Sequence, residues 1–306
     1  MDWEKKIANT QQLLNEGKTK EVLDETQFLM GDDIAHLSHK NKAEACALRG
    51  MAYYRRKDFG HAGFWFTVAL DSDPANERAI YGMAYIAAAV DKDPEKLQEW
   101  MAKLPESAAR DNARMIMMRD PKYLETKGMG ETFLEADKIL KKWVHKNPED
   151  PSNAANIANN LGRLYIVVGD KLTSEQEEDG DYELISESYM LALSSLSAAI
   201  GLYGTGSMNL HHRAAANYWM SVAMEKLFGP AAAIPFACGS LRLWYEQIQL
   251  DLDNPHYQKS YAGSREWVTE LLYKMGEKMS QKGPGTGNYV YDLLKAADDT
   301  LAVTLL

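Results

Sequence analysis

Carboxylates are the first residues whose spacing suggests chemistry. The chain reads Glu175-x-Glu177-x-Asp179-Gly180-Asp181-x-Glu183, alternate acids around a glycine as in a calcium loop. Glu175 stands where such a loop starts with Asp, and its twelfth position is Ser186 rather than a bidentate Glu. A solvated acidic loop is the expectation. Zinc needs three or four nitrogen or sulfur ligands. His36 and His39 could share a helix face and His211-His212 are adjacent, but neither pair has a third ligand at metal spacing, and H-E-x-x-H is absent. The glycine-rich stretches 201–207 and 283–287 lack the preceding strand and the Gly-Lys-Ser/Thr of a phosphate loop, so they read as breaks between helices. No G-x-S-x-G elbow occurs, and no Cys/His signature stands out. The sequence therefore predicts a non-enzymatic protein with no cofactor and no metal.

Charge narrows the partners. Lys and Arg total 34 against 44 Asp and Glu, a formal net charge of −10. A nucleic acid partner needs a basic face, so none is expected. The local basic runs Arg55-Arg56-Lys57 and Lys141-Lys142 read as solvated helix ends. Cys46 and Cys238 lie in apolar helical patterns and read as buried free thiols. Met1-Asp2-Trp3-Glu4 lacks the basic and apolar regions of a signal peptide. No uninterrupted apolar run reaches about 18 residues, so membrane insertion is not expected. A cytoplasmic location follows as the expectation.

The elements that must position any site are helices. Ala, Leu, Glu, Lys and Met are plentiful and β-branched alternation is nearly absent. Periodicity predicts helices over 2–16, 19–30, 76–90, 94–104, 106–120, 131–147, 151–169, 183–202, 209–228, 231–250, 262–281 and 288–303. Trp143 and Val144 are among the inward residues of 131–147. The Met115-Ile116-Met117-Met118 run reads as core packing. Between them, residues 43–76 carry Gly50 and Ala62 where two helices approach closely. Tyr53, Phe66 and Ala69 occupy the facing surfaces, and Pro74 forms the stop.

In those positions the segment resembles a tetratricopeptide repeat (TPR), with Cys46 where a large aromatic is usual. Residues 77–105 and the stretch around 155–200, with Leu161, Gly162 and Tyr165, follow the pattern more loosely. The resemblance implies an all-α fold of antiparallel helix pairs stacked as a TPR-like right-handed α-solenoid. Residues 1–105 would form TPR-like pairs, and 106–306 a diverged helical region packed onto them. The tetrapeptide G-M-A-Y occurs at 50–53 and again at 82–85, an offset of 32 against the repeat's 34.

The family's groove-lining positions map onto Glu44, Ala47, Met51, Tyr54 and Arg55, then Arg78, Tyr81 and Tyr85. In the 151–169 helix they map onto Asn156, Asn159, Asn160 and Arg163. The resemblance implies a scaffold or adaptor, binding a peptide or partner helix in that groove. Ala47 and Met51 stand where the family's clamp for a C-terminal carboxylate has Lys and Asn, which argues against an EEVD-type chaperone tail. The alternative is a ligand-sensing or carrier protein whose long C-terminal helices enclose a pocket near Tyr218, Trp219, Trp244 and Tyr245.

Overall fold

A computed structural model describes residues 2–31, 34, 36–143, 151–175, 182–204 and 209–280. Every regular element among them is helical. The α-helices are α1 (Trp3–Asn15), α2 (Thr19–Glu25), α3 (His39–Arg55), α4 (Phe59–Ser72), α5 (Glu77–Ile86), α6 (Pro94–Ala102) and α7 (Ala108–Met118). There follow α8 (Pro121–Lys127), α9 (Met129–Trp143), α10 (Pro151–Glu175), α11 (Tyr182–Tyr203), α12 (Leu210–Phe228), α13 (Pro230–Leu250) and α14 (Pro255–Ser280). The predicted helix at 288–303, the 283–287 break, Val144 and most of the acidic loop (176–181) lie outside the described residues.

Local chemistry starts these helices where the sequence supplies an acceptor. Ser38, Asp58 and Asn76 accept from the backbone N–H three residues on, at 3.2, 3.2 and 2.9 Å. Pro121 ends one predicted helix and begins another, α8, because a proline at the first helical position loses no hydrogen bond. In the same way Asn254-Pro255 starts α14 seven residues ahead of the predicted 262, with Asn254 Oδ1 accepting from His256 N at 3.0 Å.

Consecutive helices pack side by side, most closely α10 with α11, α12 with α13, α3 with α4 and α13 with α14. Close approach depends on missing side chains. A Cβ on Gly50 would lie 2.6 Å from Phe66 Cε1, and one on Gly82 only 2.3 Å from Phe66 Cζ. One ring thus fills the gap between α3, α4 and α5. The two G-M-A-Y glycines share that packing need, while the 34-residue offset holds where Glu44 and Arg78 pair. Gly162 repeats the device, with Leu196 of α11 in its notch. An apolar cluster of Ala84, Leu97, Met101, Ala113, Ile116 and Met117 runs across residue 105, so the packing is continuous there. Met115, Met117 and Met118 are buried, as expected.

Two expectations change. Cys238 is exposed, although Cys46 is buried and both thiols are free. Helix α11 is long and apolar enough to cross a membrane by length and composition. It packs through Tyr189, Ala192, Leu196 and Ala199 against its neighbours, and leaves Tyr182, Leu184, Met190 and Leu191 exposed.

The chain also meets its own beginning. Buried Asp251, after α13, accepts from Thr19 N at 3.2 Å and from Thr19 Oγ1 at 2.5 Å. Asn254 Nδ2 donates to the same Thr19 hydroxyl at 3.2 Å and to Asp251 at 3.1 Å. Arg56 donates to the carbonyl of Asp253 at 2.8 Å, and Lys20 pairs with the Asp253 carboxylate. These contacts clasp the α1–α2 and α3–α4 turns to the α13–α14 turn.

Two outcomes follow. Gly82→Ala must displace the Phe66 ring and is expected to cost about 1–3 kcal/mol in urea denaturation. Adding Phe66→Leu should cost less than the sum of the two single changes. Asp251→Ala leaves Thr19 and Asn254 donors buried without an acceptor, and is expected to cost about 3 kcal/mol by the same measurement.

Candidate functional site

Inside the clasped array, the ends of several helices aim polar side chains at one another. Tyr54 and Arg55 close α3, and Lys57 follows in the turn. Tyr54 meets Tyr85 of α5 edge-on, centroids 5.7 Å apart, and Tyr85 meets Tyr81 at 4.4 Å. Asn112 of α7 donates to Tyr81 Oη at 3.1 Å and to Tyr85 Oη. Its own carbonyl oxygen accepts from Asn160 of α10 at 2.6 Å. Tyr203, at the end of α11, donates to Asn156 Oδ1 at 2.6 Å and stacks on His212 of α12, rings 5.5 Å apart and 8° from parallel. His211 lies 3.8 Å from His212 and 6.0 Å from Tyr257 of α14, whose hydroxyl donates to the Gly17 carbonyl at 3.5 Å. The aromatic chain therefore ends at the clasp.

Into this frame come four cations. Arg55 donates to the Leu14 carbonyl. Arg163 lies over the Trp219 ring, 4.7 Å from its centroid. Arg119 has Nε and Nη1 buried with no hydrogen-bond acceptor. Lys57 takes φ +63°, a left-handed conformation that glycine or asparagine adopts at lower cost.

Burial depresses all four, holding Arg119 down to about 10. After burial, the neighbouring Arg163 and Arg119 guanidiniums lower Lys57, and Arg119 lowers Arg163. The groups that act the other way are the tyrosines, Tyr54 and Tyr85 on Arg119 and Tyr203 and Tyr54 on Arg163. Among the described residues no carboxylate contributes to any of the four. Burial also raises Tyr54, Tyr85 and Tyr203, which stay protonated as donors. Lys57 remains accessible to water and yet is depressed chiefly by desolvation.

The expected groove residues divide. Tyr54, Arg55, Tyr81, Tyr85, Asn156, Asn160 and Arg163 belong to this centre. Glu44 and Arg78 pair with each other at 2.8 Å, and Asn76 donates to Glu44 at 3.2 Å, so their charges are already matched. Met51 packs against the apolar residues of α1, α3 and α4. Asn159 is buried with Oδ1 unpartnered. Sequence reasoning missed Lys57, Asn112, Arg119, Tyr203, Tyr257 and the role of the histidine pair. The run Arg55-Arg56-Lys57, expected to be a solvated helix end, instead divides its side chains. Arg55 and Lys57 turn to the centre and Arg56 to the clasp. No local signal marks the difference, because it depends on what the helix end faces.

Trp219 borders the centre through Arg163, whereas Trp244 packs with Ala214 and Tyr257. Among the described residues no three His, Cys, Asp or Glu side chains converge on a metal position. A shallow surface groove of about 750 Å³ opens between α1 and α2, lined by Lys5, Lys6, Lys18, Glu16, Glu21 and Glu25 among others. Both signs of charge are mixed there, so it selects for neither. In comparisons with known proteins, no family model matches the chain and no curated protein matches it significantly.

The histidines make the centre acid-sensitive. Burial, then the charges of Arg55 and Lys57, push His212 down to about 3. Burial and Lys57 push His256 down to about 4, and His211 is held well below its usual value by burial and by His212. A histidine depressed in the folded state stabilises the fold fully above its unfolded pKa of about 6.5. That contribution is lost as pH falls from there toward the folded values. Stability should therefore drop by up to about 1.4 kcal/mol per pH unit per histidine below pH ~6.5. Urea titrations at pH 7, 6 and 5 would show it, and His256→Gln should flatten the slope.

Proposed function

We propose that this chain is a non-enzymatic binding protein, a TPR-like right-handed α-solenoid whose ends are clasped so that its inner face surrounds a site for a small acidic molecule. The observation that carries this reading is the convergence of Lys57, Arg119 and Arg163, with Arg55 beside Lys57 at His212, and among the described residues no carboxylate acts on any of them. Like charges brought together in a surrounding of lower dielectric than water repel one another more strongly than they would in solvent. A protein that keeps several such pairs without a counter-ion bears that cost in the empty state, and an anionic ligand relieves it.

The repeat-like inner face that would receive a peptide or partner helix is the same face that forms this centre. Glu44 and Arg78 are already mutually satisfied, and the clasp narrows the approach. Both features favour a small ligand over a partner helix, and so the carrier or sensor role over the adaptor role. Tyrosine hydroxyls and asparagine amides supply neutral polar contacts beside the cations, a mixture suited to orienting a small molecule.

The test is thermal unfolding and isothermal titration calorimetry with a panel of acidic, neutral and basic metabolites at matched ionic strength. Acidic members should raise stability, by about 2.7 kcal/mol at one hundred times the Kd. Neutral and basic members should have no effect. Arg163→Gln should remove most of the response. A panel in which acidic members act no differently from neutral ones would sink the reading.

A further inference from the structure

Resting on that reading, we infer that the pole formed by Lys57, Arg119 and Arg163 takes a polyvalent anionic group, a phosphate or a clustered carboxylate bearing at least two negative charges. Three independent features converge on it. The three cations come from three separate elements (the α3–α4 turn, the end of α7 and the middle of α10) and lie within electrostatic reach of one another. Among the described residues no carboxylate acts on them, so one negative charge would leave two cations uncompensated. Arg119 holds two buried donor atoms without acceptors, although a buried guanidinium ordinarily finds partners within its own protein. Guanidinium donors match the paired oxygens of phosphate and carboxylate.

Lys57 supplies the most telling detail. Its φ of +63° closes the turn, with its backbone N–H bonded to the Tyr54 carbonyl at 3.0 Å. Glycine would close that turn with less strain. Lysine therefore carries a backbone cost and adds repulsion from two arginines, and among the described residues its ammonium meets only the Tyr54 and Phe59 ring faces, 5.5 and 5.8 Å away. A residue that strains the turn and crowds like charges has a use when a polyvalent anion sits there.

Trp219 under Arg163 offers a direct readout. Its fluorescence would be followed in the full chain during titration with inorganic phosphate, pyrophosphate, citrate, acetate and chloride, each at constant total ionic strength. Phosphate, pyrophosphate or citrate should change the emission saturably, at least tenfold more tightly than acetate or chloride. The phosphate and citrate arms distinguish a phosphate site from a polycarboxylate site. Trp219→Phe should abolish the signal while calorimetry still detects binding.

Lys57→Gly and Arg119→Gln should each weaken the polyvalent anion at least tenfold. Both should leave the melting temperature of the unliganded protein unchanged or raised, which a merely structural role would not do. Acetate or chloride binding as tightly as phosphate and citrate would overturn the polyvalent assignment while leaving an internal anion site standing. Failure of every anion to bind a folded protein would overturn both. Unliganded variants that lose stability yet keep wild-type affinity would also overturn the assignment.

Discussion

The buried carboxylate of Asp251 accepts from both the backbone and the hydroxyl of Thr19, joining residues 232 positions apart in the chain. Everything about the centre depends on that closure. Helices that pack only on their sequence neighbours form an array with two free ends. Here the α13–α14 turn is tied back to the α1–α2 and α3–α4 turns, where Tyr257 and His211 meet and Arg55 and Lys57 act on His212. The clasp is polar rather than apolar. It therefore relies on the direction of the bonds to Asp251 Oδ2, with Arg56 3.7 Å from Oδ1, where an oily contact would tolerate sliding.

Closure changes the electrostatics of every group it encloses. Histidines that would titrate near neutrality are held unprotonated, the tyrosines are held protonated, and the arginines lose part of their preference for charge. The chain as a whole is acidic, with a formal charge of −10, yet its centre is cationic. A net negative chain with a local cationic centre repels anions at long range. It draws on them only at the site, where low dielectric strengthens each contact. The Tyr81–Tyr85–Asn112–Asn160 network holds three helices in register beside the cations, with its donors and acceptors largely matched to one another.

Much of the helical framework was legible beforehand because it rests on local causes. The caps at Ser38, Asp58 and Asn76, the 3.6-residue spacing and the small residues Gly50 and Ala62 all act within a few turns of chain. Misreadings arose where one residue serves two local grammars. Pro121 closes the predicted 106–120 helix and also begins α8, and Pro255 begins α14 ahead of the predicted 262. Cys238 followed an apolar pattern but sits on the outer side of α13, which only packing decides. Of the candidate site, Tyr54, Tyr81, Tyr85 and Arg163 were reached through their positions in a repeat-like helix. Arg119, Lys57 and Tyr203 follow no such positions, and their convergence is a property of distance in space.

By itself, then, the sequence determined an all-helical chain with short turns at particular prolines, glycines and capping residues, since those preferences are energetic differences felt within single helices. It also settled that no familiar catalytic or metal motif is written in contiguous residues. The tertiary structure alone decided that the α13–α14 turn meets the first helices, that Arg55 and Lys57 turn to the centre while Arg56 joins the clasp, and that Lys57, Arg119 and Arg163 act on one another with no carboxylate among the described residues acting on them. Those outcomes depend on long-range contacts and on which side chains come to share one surrounding. Neither has a signature at any one position of the chain.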